Sequence, residues 1–213
     1  MYKSATTTLK INMKKILLTL FLAIFSQPTL AQDASSKTKV SDFVNGVGNK
    51  IISVASEKGL SEEQKKARII GVVDSVIDAE WIAHFVLGKN YKTISDEQRS
   101  KFAKLYRDFM INTYGPKFKN YNGRKFNVTG VAEQSSFFVA KAEFLPKDSD
   151  VPINVDFRVK DRDGKLVILD FIAEGVSLIE TQRSEFNSAI SQKGIDQFLV
   201  DLDARVKKLK AHK

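Results

Sequence analysis

The sequence has no cysteine, two histidines and one tryptophan. The missing cysteine excludes disulfides, thiol nucleophiles and thiolate metal sites. His84 and His212 are too few for a histidine-rich metal site, and they give no support to a catalytic triad. Gly46 and Gly48 lie in a helical pattern without a preceding strand, so they do not form a phosphate-binding loop. These scarcities argue against most enzymatic chemistry.

Apolar side chains are plentiful by contrast. Of 213 residues, 43% are hydrophobic and 10% aromatic, which is enough for one globular domain with a core of its own. A domain of this size does not need disulfides to be stable. Composition does not separate a solid core from a site for an apolar ligand, because both use the same residue types.

The N-terminal segment has the pattern of a secretory signal peptide. Residues 13–31 read "MKKILLTLFLAIFSQPTLA", with two lysines, an apolar run and small residues before a cleavage site after Ala31. The apolar run, Ile16–Phe25, is shorter than the ~20 residues that span a bilayer. We expect residues 1–12 to precede the true start at Met13, and residues 32–213 to form a single domain.

The formal net charge is +9, with much of it at the two ends of the chain. The last nine residues, "RVKKLKAHK", carry five lysines and arginines. A charge run at a chain end is usually a solvated segment, so we expect no nucleic-acid partner. A mild attraction to anionic membrane surfaces stays open.

Apolar residues recur at three- and four-residue spacing through the first half of the mature chain, which predicts helices. Capping and helix-breaking residues mark the boundaries: Val40 to Gly59, a capping box at Ser61–Gln64, a cap at Asp78 with Gly88 after it, and a capping box at Ser95–Gln98 with Gly115 and Pro116 as the stop. Two further amphipathic helices are expected at the end of the chain: Ser177–Gln192 and Ile195–Leu209.

After Gly123 the apolar period changes to two, which predicts strands. Four are expected, around Phe126–Gly130, Ser135–Leu145, Ile153–Lys160 and Val167–Ile172, with a tight turn at Asp161–Gly164. Helices, then strands with short links, then helices predict an α+β fold with a four-stranded antiparallel sheet packed against several helices. The helices either pack against that sheet as a solid core or leave a cavity between themselves and the sheet.

The chain resembles the MlaC family in three segments: residues 85–123 ("FVLGKNYKTISDEQRSKFAKLYRDFMINTYGPKFKNYNG"), 155–158 ("VDFR") and 170–199 ("DFIAEGVSLIETQRSEFNSAISQKGIDQFL"). This family, also called toluene-tolerance auxiliary proteins, comprises periplasmic phospholipid-binding carriers of the maintenance-of-lipid-asymmetry pathway. The resemblance covers nearly the whole mature chain. One departure is Gln182, where family members often carry tyrosine.

The resemblance implies that the space between helices and sheet is an apolar, lipid-binding cavity. The protein would be a monomeric periplasmic carrier of phospholipid, with no enzymatic activity, cofactor or metal. Its implied partners are an outer-membrane lipoprotein–porin complex and the lipid-binding subunit of an inner-membrane ABC transporter.

Residues expected to contact acyl chains lie on the last two long strands and the helices over them: Trp81, Phe85, Phe109, Val155, Phe157, Val159, Val167, Leu169, Phe171 and Leu178. Ordinary core packing is the alternative for each. In the last strand, Val167, Leu169 and Phe171 are expected on one face, with Ile168, Asp170 and Ile172 on the other.

Charged residues have separate expected roles. Arg183 would meet a phosphate at the pocket rim, with a surface ion pair as the alternative. Asp156, Arg158 and Asp170 are expected to pair across strands. Glu174 and Gly175 would shape the turn from strand to helix.

Two other function classes stay open. One is an exported enzyme that uses Asp78, Glu80 or Asp170 as a base on a hydrophobic substrate, although helix capping also explains acids at the first two positions. The other is a structural adaptor with a solid core, which predicts no bound lipid.

Overall fold

The computed structural model describes residues 29–118, 123–146 and 150–211. The chain divides into residues Met1–Ser36 and a second compact unit, Lys37–Lys213, to which the site described below belongs. The predicted signal peptide lies largely outside the described residues, as do His212 and Lys213. The cleavage site after Ala31 therefore stays a prediction.

The protein has an α+β fold. Its helices are α1 (Thr29–Ser56), α2 (Glu62–Val76), α3 (Ala79–Leu87), α4 (Asp96–Phe118) and α5 (Leu178–Ala211), with a 3₁₀ helix at Gly88–Lys92. Gly194 breaks α5 with a φ of 78°, which confirms the prediction of two helices in this part of the chain.

Capping residues begin α2, α3 and α4 where the sequence predicted, whereas α1 begins at Thr29 and not at the predicted Val40. The Ser61 Oγ accepts a hydrogen bond from the Gln64 N–H at 3.2 Å, and the Gln64 side chain accepts one from the Ser61 N–H at 2.8 Å. Ser95 and Gln98 form the same pair of bonds. The predicted stop at Gly115 and Pro116 is wrong, since α4 continues to Phe118. A proline this close to the helix end disturbs only the last turn.

The sheet has five antiparallel strands in sequence order, where four were expected: β1 (Gly123–Gln134), β2 (Phe137–Pro146), β3 (Ile153–Arg162), β4 (Lys165–Ala173) and β5 (Val176–Ser177). The additional strand has two residues, too short to give an alternating pattern. It follows a tight turn in which Glu174 and Gly175 have φ angles of 47° and 79°. Asp163 and Gly164 form the predicted turn between β3 and β4.

Buried apolar residues form two clusters. The helix cluster lies between α3, α4 and α5 and contains Phe102, Phe109, Phe186 and Phe198. The sheet cluster joins Val40 and Val44 of α1 to Ala140, Val159 and Ile168 of the sheet. The fold thus has one core made by helices and another made by α1 and the sheet.

The basic C-terminal segment is helical up to Ala211. It forms the last turns of α5, and three of its cations make ion pairs. Arg205 pairs with Glu185, Lys207 with Asp203 and Lys210 with Asp108, each at 2.6 Å. These pairs reduce the charge available to a polyanionic partner.

Candidate functional site

One surface of the sheet faces α1 and is lined by aromatic and small side chains. Strand pairing places the following residues on it: Phe126, Phe138, Ala140, Val155, Phe157, Val159, Ile168 and Phe171. Three of its phenylalanines form an aromatic row, Phe126–Phe157–Phe171, with centroid distances of 6.0 and 5.5 Å and edge-to-face geometry. All three rings are half-buried. The row therefore presents aromatic surface that the protein does not fully cover.

A bulge in β4 changes the predicted alternation. Arg158 pairs with Asp170 and Val159 pairs with Ile168, so Leu169 is an extra residue between two pairs. Ile168 consequently shares a face with Phe171, and Val167 lies on the opposite face. The prediction that Val167, Leu169 and Phe171 share one face is wrong, because a bulge shifts every following side chain by one position.

Helix α1 approaches the sheet closely beside the aromatic row. A Cβ atom at Gly48 would overlap the Phe126 ring, so any other residue at this crossing would have to displace that ring. One turn earlier, the Asn45 Oδ1 accepts a hydrogen bond from the Val128 N–H at 2.9 Å. These contacts fix α1 against β1, the edge strand, and place it next to the row.

The other residues predicted to contact lipid lie elsewhere. Phe109 is buried in the helix cluster, 5.8 Å from the Phe186 ring. Trp81 and Phe85 stack on each other at 5.1 Å and pack against that cluster. Leu178 begins α5 and is half-buried. The predicted residues therefore do not form one surface, and a role in lipid contact stays a prediction for each of them.

Arg183 reaches from α5 to the C-terminal end of α3. Its Nη1 donates to the Phe85 carbonyl oxygen at 2.8 Å, and its guanidinium lies 4.7 Å from the centroid of the Phe85 ring. Asn187 donates to the Val86 carbonyl oxygen at 2.8 Å. Both side chains satisfy carbonyl groups that a helix end leaves unpaired. The structure gives Arg183 this helix-capping contact, and its predicted role at a phosphate is untested.

Asp170 organises the corner between β4 and α5. Its carboxylate accepts hydrogen bonds from the Ser177 Oγ at 2.6 Å and the Ile179 N–H at 3.3 Å. Arg158 lies 3.2 Å from it, which confirms the predicted cross-strand pair, and also bonds Glu180 at 2.7 Å. Burial raises the pKa of Asp170, while these hydrogen bonds and the Arg158 charge lower it in part. The corner is a capped joint between sheet and helix.

A buried polar cluster lies between α4 and α5, and sequence reasoning missed it. The Tyr106 hydroxyl donates to the Gln182 side-chain oxygen. The Gln182 amide nitrogen lies 3.1 Å from the Met110 sulfur and 3.4 Å from the Tyr114 hydroxyl. Burial raises the pKa of Tyr106. The departure from the family pattern at Gln182 was the one sign of this cluster in the sequence. In the structure, the Gln182 side chain finds hydrogen-bond partners inside the helix core.

The acids of the enzymatic alternative have structural partners or lie exposed. Asp78 caps α3 by accepting from the Trp81 N–H at 3.0 Å, and it pairs with Arg162 at 3.1 Å. Asp170 is committed to the corner, and Glu80 is exposed. Among the described residues, no group of three His, Asp or Glu side chains is placed to hold a metal ion.

No helix within the described ranges is long and apolar enough to cross a membrane. The fold matches that of a solved phospholipid-binding protein from Ralstonia solanacearum, determined in complex with a phospholipid. The TM-score is 0.70 at 17% sequence identity, over 80% of this chain and 98% of that one. The protein is thus an α+β domain of the same fold class as that protein.

The sequence profile of the MlaC protein family matches residues 45–204, and the chain belongs to this family. It is also 24% identical over 130 residues to the intermembrane phospholipid transport system binding protein MlaC of Haemophilus influenzae. That match covers 59% of this chain and 61% of the relative's length.

Proposed function

We propose that the protein is a periplasmic carrier that binds a phospholipid by its acyl chains. It passes the lipid between an outer-membrane lipoprotein–porin complex and the lipid-binding subunit of an inner-membrane ABC transporter. It performs no chemical conversion. Family membership and the phospholipid bound in the Ralstonia solanacearum structure support the class of ligand, and the name of the Haemophilus influenzae relative supports the transport role.

The observation that carries this proposal is the half-buried aromatic row. Phe126, Phe157 and Phe171 lie on the α1-facing surface of the sheet with part of each ring uncovered. Ala140 and Ala142 of β2 lie on the same face of the sheet. An acyl chain laid along this surface would bury apolar area on both partners, which is the main source of favourable free energy for such binding.

The physical need for a carrier is large. Moving an acyl chain of about 16 carbons from an apolar environment into water costs roughly 13 kcal/mol of free energy, at ~0.8 kcal/mol per methylene. Crossing an aqueous compartment without a carrier is therefore very slow. A protein that covers the chains and leaves the headgroup near solvent removes most of this cost.

Native mass spectrometry of the protein, expressed with its full N-terminal segment, tests the proposal directly. We expect a population with a mass increment equal to one phospholipid, identified by extraction and lipid mass spectrometry. A protein that is ligand-free under conditions that preserve non-covalent complexes would contradict the proposal.

A charge placed on the aromatic row is the sharper test. We expect Phe157→Asp to reduce bound phospholipid about tenfold or more, since an acyl chain would then have to desolvate a carboxylate. Val200→Asp is the matched control, because Val200 is 54% exposed on α5 and lies off this surface. Circular dichroism and urea unfolding check that both variants fold. Equal lipid content in the two variants would assign the lipid to another surface.

A further inference from the structure

Helix α2 is packed more loosely than the helix that follows it. Of its 15 residues, all within the described part of the chain, only Ile69 is buried, whereas α3 buries four of its 9 residues. The other large apolar residues of α2 are half-buried: Ile70, Val72, Val73 and Val76. A helix that buries so little apolar area separates from its neighbours at low cost.

The C-terminal end of α2 lies at the surface proposed to bind acyl chains. Val76, in the last turn of α2, packs against the sheet cluster, and Phe126 and Phe157 of the aromatic row pack against the same cluster. The next residue, Ile77, forms a parallel bridge with Ile168 of β4. The position of α2 therefore affects access to this surface.

Both ends of α2 are anchored, and non-helical backbone lies at each anchor. At the first end, the Arg68 Nη1 donates to the two Glu57 carboxylate oxygens at 3.0 and 2.8 Å, which holds α2 to the turn after α1. Gly59, within that turn, has a φ of 89°. At the second end, Ile77 is extended, with a φ of −92° and a ψ of 149°. Rotation of α2 about the line between its ends therefore requires no unwinding of α1 or α3.

An ion pair between α2 and α4 opposes this rotation. The Arg107 Nε donates to the Asp74 Oδ1 at 3.3 Å, and the Arg107 Nη2 donates to the Oδ2. The Arg107 and Asp74 side chains are 48% and 34% exposed. A solvated ion pair contributes little to stability, so it can be broken at little cost. The pair is thus suited to a contact that opens and closes.

We propose that α2 is a gate for acyl chains, with the Asp74–Arg107 ion pair as its latch. Its hinges are Gly59 and Ile77. In the open state α2 rotates away from α4 and uncovers the α1-facing surface of the sheet. In the closed state the half-buried apolar side chains of α2 help to cover the bound chain, so bound lipid favours closure. This inference rests on the proposed carrier function and adds the step that controls loading and release.

The absence of cysteine allows spin labels to be attached at chosen sites without background. Labels at Ala67 of α2 and Ala103 of α4, both exposed, report the separation of the two helices by electron paramagnetic resonance. We expect a broad distance distribution in protein freed of lipid, and a narrower and shorter one after loading with palmitoyl-oleoyl phosphatidylglycerol. The control pair, Ala103 and Ala204, spans α4 and α5 of the helix cluster and should give the same narrow distribution in both states.

Locking the latch is the more direct test. Asp74→Cys/Arg107→Cys, joined by a short reducible crosslinker, holds α2 against α4. We expect crosslinking to slow phospholipid transfer between vesicles about tenfold or more, and reduction to restore it. Glu185→Cys/Arg205→Cys is the matched control, because it replaces an arginine–carboxylate pair of similar exposure, 49% and 48%, within α5. Crosslinking of this control should leave the transfer rate unchanged.

The outcomes separate the gate from the carrier function. The gate alone is overturned if crosslinked Asp74→Cys/Arg107→Cys transfers lipid as fast as the crosslinked control, or if the α2–α4 distances do not change on loading. Absence of phospholipid uptake by the natural protein, measured by mass spectrometry, contradicts the carrier function itself and the gate with it.

Discussion

Phenylalanine occurs in both apolar clusters, but it is buried to different extents in the two. In the helix cluster, the exposed fractions of Phe102 and Phe186 are 0% and 1%. In the aromatic row, Phe157 and Phe171 are half-buried. Three helices enclose the first set of rings, whereas α1 covers the sheet from one side. The helix cluster therefore contributes mainly to stability, whereas the sheet surface leaves aromatic area uncovered, which is where we propose that an acyl chain binds.

Truncation of one phenylalanine in each cluster tests this difference most strongly. Phe186→Ala should lower the free energy of unfolding by about 3–5 kcal/mol, because a fully buried ring leaves a cavity among Phe102, Tyr106 and Phe109. Phe157→Ala should lose less than about 2 kcal/mol, since its ring is partly exposed in the native state. Urea unfolding measures both values.

Phospholipid content should show the opposite order in these variants. We expect Phe157→Ala to reduce it more than Phe186→Ala, when both are measured on folded protein. Equal losses of stability would mean that the sheet surface is as solid a core as the helix cluster.

Two glycines of α1 test how the helix covers the sheet. Gly46→Ala should stabilise the protein by about 0.5–1 kcal/mol, because an added methyl group meets no atom and alanine favours helix. Gly48→Ala should destabilise it by about 1–3 kcal/mol, since the methyl group displaces the Phe126 ring. Thermal unfolding compares the two. Stabilisation by both changes would show that α1 does not press on the aromatic row.

Local features of the fold were predictable from the sequence because their causes are local. The boxes at Ser61 and Ser95 and the cap at Asp78 depend on residues three positions apart, and each forms as predicted. The turn at Asp163–Gly164 needs two residues that tolerate positive φ, and the sequence supplies them. The starts of α2, α3 and α4 and the β3–β4 hairpin followed from these short-range patterns, but the start of α1 at Thr29 did not.

Features that depend on distant contacts were not predictable. The run "LVILDFIA" of β4 is apolar on both faces, so alternation gives no sign of the bulge at Leu169. Arg183 contacts Phe85, which lies 98 residues earlier in the chain. The division of apolar residues between two clusters is likewise set by packing. For this reason the predicted lipid-contact set mixes the sheet surface with the helix core.

The corner at Asp170 joins the sheet to the helices, and protonation of the Asp170 carboxyl tests this link with the smallest expected effect. Burial raises the pKa of this carboxyl above its value in the unfolded chain. The folded state then binds the proton more readily, so the stability that this group contributes is fully present at low pH and is lost as pH rises through its folded pKa. Asp170→Asn does not titrate, and at pH 7 it should differ from the natural protein by about 1 kcal/mol or less.

Urea unfolding of both proteins at pH 7 and pH 5 measures this linkage. As the pH falls, the natural protein should become more stable relative to Asp170→Asn, because its carboxyl takes up a proton in the folded state first. The opposite trend would mean that Arg158 and the hydrogen bonds from Ser177 and Ile179 outweigh burial and hold the carboxylate ionised. In that case the joint between sheet and helices is an ion pair stabilised by charge, and its strength should rise rather than fall toward neutral pH.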